Sequence, residues 1–125
     1  MPDPTGFFPG RAAIDAYGDG GFRFAGMSHR GSLLLLPSGI HAWPIARFED
    51  MAEDTFAAVF AERDGIELLL LGTGATQIFP TFALKARFER AGLGLEVMST
   101  GAACRTYNIL LGEGRAVAAA LIAVS

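Results

Sequence analysis

The sequence has one cysteine, Cys104, and two histidines, His29 and His41, among 125 residues. A single cysteine excludes a disulfide within the chain and any metal or iron–sulfur centre that needs several thiolates. The histidines have no third ligand at metal-binding spacing, and neither His-Glu-x-x-His nor Gly-x-Ser-x-Gly occurs. We therefore expect no metal and no cofactor, and the sequence assigns no catalytic residue.

Basic residues are also few, since ten lysines and arginines stand against thirteen acidic residues and leave a net charge of −3. A nucleic-acid partner would require a basic face that neutralises phosphates, so we expect none. The longest apolar run, residues 116–124, is far shorter than the roughly 20 residues that span a bilayer. The N-terminus lacks the basic start and apolar run of a signal peptide. These absences predict a cytoplasmic bacterial protein without a transmembrane segment.

What the chain does contain is enough apolar material for a core. Hydrophobic residues make up 51% of it and charged residues 18%, which is typical of a folded globular protein rather than a disordered one. Residues 1–13 hold three of the six prolines, and we predict an extended arm there, with Phe7 and Phe8 on the domain surface or on a partner. One domain then follows over residues 14–125.

The rhythm of apolar residues changes along the domain. Alternation around Phe22 and Phe24 with glycine turns predicts an antiparallel meander in the first third, which leads into one apolar strand over residues 27–36. Beyond residue 48, helical spacing alternates with short buried strands. Alternation of strands and helices implies crossover units and a mostly parallel sheet covered on both faces.

Two features near the middle of the chain leave alternatives open. Glu49, Asp50, Glu53 and Asp54 could suggest a cation site, but they lack the ligand alternation of a calcium loop. We interpret them as the acidic first turn of a helix, where the dipole favours negative charge. Trp43 is either an interface anchor or a residue at the edge of the core.

A glycine loop follows one buried strand and is the first candidate site. It contains Gly72, Thr73 and Gly74, whose small residues would let backbone amides approach a ligand. The dinucleotide-binding pattern is incomplete, because Gln77 replaces its third glycine and the helix is expected only near Pro80. A tight turn, a ligand or partner loop and a nucleotide site all stay open.

The second candidate site is the strand-to-helix junction at residues 99–105. Ser99 or Thr100 can cap the helix, and its first turn offers unpaired amides to an anion. Gly101 is small, and Arg105 one turn later could clamp a carboxylate or a phosphate. If the two strands are neighbours, this junction and residues 72–74 line one crevice at the carboxyl ends of the strands. The alternative is an ordinary capped helix with Arg105 in solvent or paired with a carboxylate.

Cys104 could be a reactive thiol or a redox sensor. That role needs a neighbouring base and a lowered pKa, and nothing in the spacing brings His29 or His41 to it. The thiol is also three residues from Tyr107, beside the apolar face of the predicted helix. We interpret it as a buried structural thiol, with the reactive thiol as the alternative.

Four segments that occur in this order carry a resemblance. They are SLLLLP at 32–37 with HAWP at 41–44, LLGTG at 70–74, STGAACRTYN at 99–108 and EGRAVAAALI at 113–122. Over about residues 14–124 the chain resembles a small family of unknown biochemical function. That family includes bacterial and archaeal proteins, an adipogenesis-associated animal protein and a mitochondrial assembly factor of respiratory complex I. Its motif positions match Gly72, Thr73, Gly74, Thr100, Gly101, Cys104 and Arg105, without a catalytic assignment.

The resemblance implies a single three-layer α/β domain, in which a mixed central sheet is flanked by helices and joined by an N-terminal antiparallel β layer. It implies no established enzyme activity, and a scaffolding role with a companion factor for the mitochondrial branch. We therefore expect a non-catalytic binding or assembly protein, cytoplasmic and peripheral to the inner membrane. Its expected partners are respiratory complex assembly intermediates or membrane insertion machinery.

Two alternatives accompany this expectation. The chain could be a binding protein or an enzyme for a small anionic ligand, held in the crevice between residues 72–74 and 99–105. It could also form a homo-oligomer through the unprotected edge of the meander.

Overall fold

A computed structural model describes residues 8–125, apart from the side chain of Glu53. The strands are β1 (Phe8–Pro9), β2 (Ile14–Gly18), β3 (Gly21–Phe24), β4 (Met27–Arg30), β5 (Ser32–Leu36), β6 (Gly39–Trp43), β7 (Leu68–Gly72), β8 (Gly94–Met98) and β9 (Val117–Leu121). The α-helices are α1 (Ala57–Ala61), α2 (Phe82–Arg90) and α3 (Thr100–Gly112), with short 3₁₀ turns at Phe48–Asp50, Glu53–Phe56 and Arg63–Gly65.

Six strands form the central sheet in the order β1-β6-β5-β9-β7-β8. The pairs β7–β8 and β7–β9 are parallel, whereas β5–β9, β5–β6 and β1–β6 are antiparallel. Because β8 and β9 flank β7 on opposite sides, right-handed crossovers place α2 and α3 on opposite faces of the sheet. The predicted α/β fold with a mixed central sheet is confirmed. The expectation of a mostly parallel sheet is wrong, because three of the five described strand pairs are antiparallel and the two parallel pairs lie in the second half of the chain.

The predicted antiparallel layer is a separate three-stranded sheet with the order β2-β3-β4. Its apolar residues Ile14, Phe22 and Phe24 are buried in the core on the α3 side of the central sheet. The two helices α1 and α2 cover the other side, where Phe56, Val59, Phe60 and Phe88 pack against Leu69 and Leu71. The molecule therefore has a helical layer, a central sheet, and a third layer built jointly from α3 and the small sheet.

The inner strands β5, β9 and β7 of the central sheet are buried on both faces. In β7, Leu69 and Leu71 point into the core beneath α1 and α2, and Leu70 points into the core beneath α3. All five residues of β5 and all five of β9 are buried. This double burial explains why these strands are continuous apolar runs rather than alternating ones.

Two element boundaries differ from the sequence predictions. The single strand expected over residues 27–36 is interrupted at Gly31, whose φ of +100° suits glycine best; β4 and β5 then enter different sheets. The helix expected to begin with the acidic cluster begins only at Ala57. Ahead of it, the Ala52 N–H donates to Thr55 Oγ1 at 2.7 Å, one half of a capping box that starts a 3₁₀ turn over Glu53–Phe56. Glu49 and Asp50 lie in an earlier, separate 3₁₀ turn.

The proline-rich arm joins the central sheet within its described part. Phe8 and Pro9 form β1, in which Phe8 is paired with Ile40 of β6. The Phe8 ring is half-buried and meets Phe24 edge-on at a centroid distance of 6.2 Å. Phe7 lies outside the described residues, and the boundary at residue 14 between arm and domain stays a prediction. Among residues 8–125, no helix combines the length and the apolar character that crossing a bilayer requires.

Candidate functional site

The topology brings the two predicted site segments together. Gly72 ends β7 and Met98 ends the neighbouring parallel strand β8, and these two residues are paired in register. The loop at 72–74 and the junction at 99–105 therefore leave the sheet at the same edge. The Thr73 N–H donates to the Met98 carbonyl at 2.9 Å, which extends the strand pairing into the loop. We call the contact region of these two segments the strand-end junction.

Thr100 is the centre of the strand-end junction and is fully buried. Its N–H donates to the Gly74 carbonyl at 2.8 Å, and its hydroxyl oxygen accepts from the Gly74 N–H at 3.0 Å. The same hydroxyl donates to the Ile122 carbonyl at 2.7 Å. One side chain therefore ties the start of α3 to the ends of β7 and β9.

Gly72 allows α3 to begin directly against β7. A Cβ at this position would lie 2.9 Å from Thr100 Cα and 3.0 Å from Thr100 Oγ1. The Gly72 carbonyl also accepts from the Ile122 N–H at 2.9 Å. A side chain here would push the helix away from the strand and disturb the Thr100 bonds. Gly72 therefore serves close helix–strand packing, a role that none of the three interpretations of the loop included.

Thr73 determines the shape of the loop that follows β7. Its buried hydroxyl donates to the Thr76 carbonyl at 2.6 Å and accepts from the Ile78 N–H at 3.0 Å. Downstream, the Gln77 side-chain amide donates to the Val97 carbonyl of β8 at 2.8 Å. Bonds at both residues fasten the loop to the end of the sheet, so that residues 78–82 project from an ordered base.

The start of α3 is covered by the small sheet. A Cβ on Gly101 would overlap the hydroxyl group and ring of Tyr17 in β2, so this close approach requires glycine. Ser99 caps the helix, as predicted, with its hydroxyl accepting from the Ala102 N–H at 3.4 Å. Several polar groups proposed for an anion are thus engaged within the protein. The anion site itself stays a prediction.

Arg105 and Cys104 occupy different sides of α3. Arg105 is exposed, whereas Cys104 is 4% exposed. Burial raises the pKa of the Cys104 thiol to about 12, and the positive charge of Arg105 offsets this only in part. The thiolate, which is the reactive form, is therefore disfavoured at neutral pH. This environment supports the structural interpretation of Cys104.

The two histidines make separate local hydrogen bonds, each to a residue three positions away in the chain. His29 Nε2 lies 3.2 Å from the Ser32 carbonyl oxygen. His41 Nε2 lies 2.9 Å from Ser38 Oγ, which donates to Glu62 Oε2 at 2.6 Å. In hydrolytic triads the imidazole takes the serine proton and the carboxylate orients the imidazole. Here the serine proton points to the carboxylate, and the group is exposed, so we assign it no catalytic role.

Asn108 joins α3 to the small sheet, a role that the sequence reasoning missed. Its side-chain oxygen accepts from the Ile14 N–H, and its side-chain amide donates to the Ile14 carbonyl, both at 2.8 Å. Asn108 lies four residues after Cys104 and next to Tyr107, on the inward side of the helix. An amide at that helical position was the available signal, since buried polar groups need partners.

The sequence reasoning also missed the surface around α2. Phe79 is 76% exposed and Phe82 is 86% exposed, and Ile78 beside them is partly exposed. We call these three residues the aromatic segment.

Trp43 is buried, unlike the aromatic segment. Its indole N–H donates to the Thr55 carbonyl at 3.3 Å, and the centroid of its ring lies 5.6 Å from that of Phe56. Of the two alternatives for Trp43, the core residue is correct.

A groove lies next to the aromatic segment, between residues 48–56 and α2. Its volume is about 500 Å³. It is lined by Phe48, Glu49, Met51, Ala52, Phe56, Pro80, Thr81, Ala83, Leu84, Ala86, Arg87 and Arg90. We call it the α2 groove. No sequence motif indicated the α2 groove, because its walls come from two segments that are about 30 residues apart in the chain.

Comparison with known proteins places these features in a family. The family described as "Protein of unknown function (DUF498/DUF598)" matches residues 14–122. An uncharacterized protein of Rhodobacter capsulatus is 42% identical over 115 residues, which cover 92% of this chain and 87% of that protein. A crystal structure described as an outer membrane protein from Bartonella henselae is 48% identical, with a TM-score of 0.90, and the match covers 94% of this chain and 99% of that one.

A named relative comes from the mouse. The protein called NADH dehydrogenase (ubiquinone) 1 alpha subcomplex assembly factor 3 is 35% identical over 116 residues, which cover 92% of this chain. The chain spans 62% of the length of that relative. The similarity thus extends over nearly all of this chain and over a part of the assembly factor.

Proposed function

This chain belongs to the DUF498/DUF598 family of proteins of unknown function, and on that basis we propose that it is a protein-binding assembly factor rather than an enzyme. The name of the mouse relative supports this role, since the similarity extends over 92% of the chain. The finer proposal is that it binds assembly intermediates of respiratory complex I, or membrane insertion machinery, from the cytoplasmic side of the inner membrane. Self-association through the small sheet stays a prediction.

The single observation that carries this proposal is the exposure of the aromatic segment. Phe79 and Phe82 leave 76% and 86% of their surface in water. Isolated exposed apolar residues are ordinary, but neighbouring aromatic side chains on one surface are typical of a contact with another protein. These side chains would lose their water on binding, which is the main favourable term in association.

The loop beneath the aromatic segment supports the same role. The Ile78 N–H is bonded to Thr73, and Gln77 is bonded to β8. An ordered loop loses less conformational entropy when it binds, so more of the contact energy contributes to affinity. The strand-end junction thus presents the aromatic segment to a partner without itself making contact.

The test is a pull-down from the native host with a C-terminal tag and gentle solubilisation. Wild type is compared with the double variant Phe79→Ser/Phe82→Ser. The matched control is Ile109→Ser, which alters a residue of α3 that is 62% exposed. We expect subunits of the respiratory complex or of insertion machinery with wild type and control. Recovery with the double variant should fall more than about tenfold, since aromatic anchors commonly contribute 2 kcal/mol or more each.

Equal recovery of these partners with all three proteins would contradict the aromatic segment as the contact. A separate measurement tests the role itself. Deletion of the gene should lower the amount of assembled complex I and the NADH-oxidase activity of isolated membranes. Unchanged levels of both in the deletion strain would argue against an assembly function. Loss of partners with Arg105→Ala would place the contact at the strand-end junction instead.

A further inference from the structure

The α2 groove has the size and lining of a small-molecule site. Ligand pockets commonly measure about 300–1,000 Å³ and are mostly apolar with a few polar groups; the groove holds about 500 Å³. Phe48 and Met51 form one wall, and Leu84 belongs to the wall from α2. Phe56, which is fully buried, lies beneath them. An apolar chain bound here would be shielded from water where it contacts these walls.

Two arginines give the α2 groove a charge preference. Among the side chains that the structure describes, Arg87 and Arg90 line the groove together with one carboxylate, that of Glu49. In the described part of the chain, the ion pairs join Arg47 to Asp50 and Arg115 to Glu67, so neither groove arginine is paired with a carboxylate. The described side chains of the lining thus carry one net positive charge, which matches a ligand with one negative charge.

The guanidinium of Arg87 is held in place before any ligand arrives. Its central carbon lies 4.2 Å from the centroid of the Phe60 ring, in a cation–π contact. A guanidinium fixed in this way loses little freedom when it donates two parallel hydrogen bonds to a carboxylate. Arg90 is one helical turn further along and is exposed, so it can adjust to the head group.

The opposite flank of α2 provides a contrast within the same molecule. A second cavity of about 370 Å³ lies there, between α2 and β8. Its charged lining residues are Lys85, Glu89 and Glu96, with one net negative charge. Both flanks offer apolar surface, but only the α2 groove complements an anion.

We propose that the α2 groove binds a single-chain carboxylate, meaning an unbranched acyl chain with one carboxylate head group. The chain lies against the apolar walls formed by residues 48–56 and α2, and the head group meets Arg87 and Arg90. This site goes beyond the protein-binding role, because it uses a different surface from the aromatic segment and a ligand of different chemistry.

Titration calorimetry with hexanoate, octanoate and decanoate, each below its micellar concentration, tests the proposal on the full chain. Each buried methylene should tighten binding about fourfold until the groove is filled. Heptylammonium, which has the same seven-carbon alkyl chain as octanoate and the opposite charge, should bind at least about tenfold more weakly than octanoate. A Kd that does not depend on chain length, or equal binding of the two head groups, would overturn the proposal.

Three variants locate the site. Arg90→Gln should weaken octanoate binding about tenfold or more, because a hydrogen-bonded charge is removed from the head group. Lys85→Gln is the matched control on the opposite flank of the same helix and should leave the Kd within about twofold. Ala83→Trp, at an exposed residue lining the groove, should abolish binding by filling it. Thermal unfolding of each variant without ligand confirms that the fold is retained.

Two outcomes would reject the carboxylate ligand. One is unchanged binding by folded Ala83→Trp, since the acyl chain would then lie elsewhere. The other is absence of binding by all three acids. If Ala83→Trp then also loses protein partners, the groove accommodates a protein segment. Failure of the acids to bind would leave the test of the aromatic segment, which uses Phe79 and Phe82, unaffected.

Discussion

The side chains of the strand-end junction are buried and hydrogen-bonded, whereas several apolar side chains around α2 are exposed to water. At the junction, Thr73 and Thr100 turn their hydroxyl groups inward and bond them to backbone groups. Around α2, Phe79 and Phe82 turn aromatic rings outward into water. Inward bonds stabilise the fold, whereas exposed rings reduce their contact with water only when something binds. The segments that carried the family resemblance therefore build the fold at this edge, and the surface that we propose for partner binding lies beside them.

The largest expected effect of burial at the strand-end junction is on the alkylation rate of the Cys104 thiol. Burial raises its pKa from 9.0 to about 12, which lowers its thiolate fraction at pH 8 about a thousandfold. Alkylation of the folded protein by iodoacetamide at pH 8 should therefore be about a thousandfold slower than that of an unfolded control in urea. Mass spectrometry over time measures both rates. Modification at the rate of a free thiol would restore the reactive-thiol alternative.

The same shift predicts how stability depends on pH. The folded-state pKa is higher than the unfolded one, so the unfolded chain loses the thiol proton first as pH rises. This contribution is complete below about pH 9 and is lost between pH 9 and 12. In Cys104→Ala the decline in unfolding free energy over that window should be shallower, as urea titrations at each pH would show. Equal slopes for both proteins would mean that the thiol is not buried in solution.

The next largest effect is expected from removing the Thr100 hydroxyl. Thr100→Val would leave the Gly74 N–H and the Ile122 carbonyl without the partner they have now. A buried polar group without a partner costs about 1–3 kcal/mol, so we expect the unfolding free energy to fall by about 2–4 kcal/mol. Phe82→Ser, on the α2 surface, should change it by less than about 0.5 kcal/mol. Urea unfolding monitored by circular dichroism compares the two, and similar losses would remove the contrast between the regions.

A smaller and more local effect is expected at Asn108. Asn108→Ala removes both bonds to Ile14 and should cost about 1–3 kcal/mol. Asn108→Asp can still accept from the Ile14 N–H but cannot donate as a carboxylate, so its loss should be intermediate. In both variants, the rate of amide hydrogen exchange should increase over the wild-type rate more in β2 than in β7. Uniform acceleration across the two sheets would indicate that Asn108 stabilises the whole domain.

The smallest effect is expected from the anion site predicted at the strand-end junction. Gly74 and Thr100 already bond each other there, so we expect only a weak anion site, in which Arg105 contributes most. Phosphate at about ten times its Kd would add about 1.4 kcal/mol to stability, seen as a rise in Tm. Arg105→Ala should remove this rise. A rise of equal size in the variant would assign the anion effect to another part of the surface.

Sequence patterns anticipated the secondary elements that rest on long apolar periodicity. The runs at β5, β7 and β9 are buried strands as expected, and Ser99 caps α3. The rule that carboxyl ends of parallel strands share an edge predicted that the loop at 72–74 and the junction at 99–105 meet if their strands are neighbours, and the structure supplied that condition through the pairing of β7 with β8. Short-range signals were less reliable, because Gly31 and Thr55 decide local conformation by single backbone angles and bonds.

The sequence by itself determined that this chain folds as an α/β domain, and its motifs determined the family to which it belongs. Apolar periodicity is local information, and a strand buried on both faces can be recognised without knowing its neighbours. Only the tertiary structure decided that Thr100 bonds to Ile122, that Tyr17 covers Gly101, and that Phe82 stays in water. Those facts depend on which distant segments meet, and periodicity along one segment carries no information about its partner.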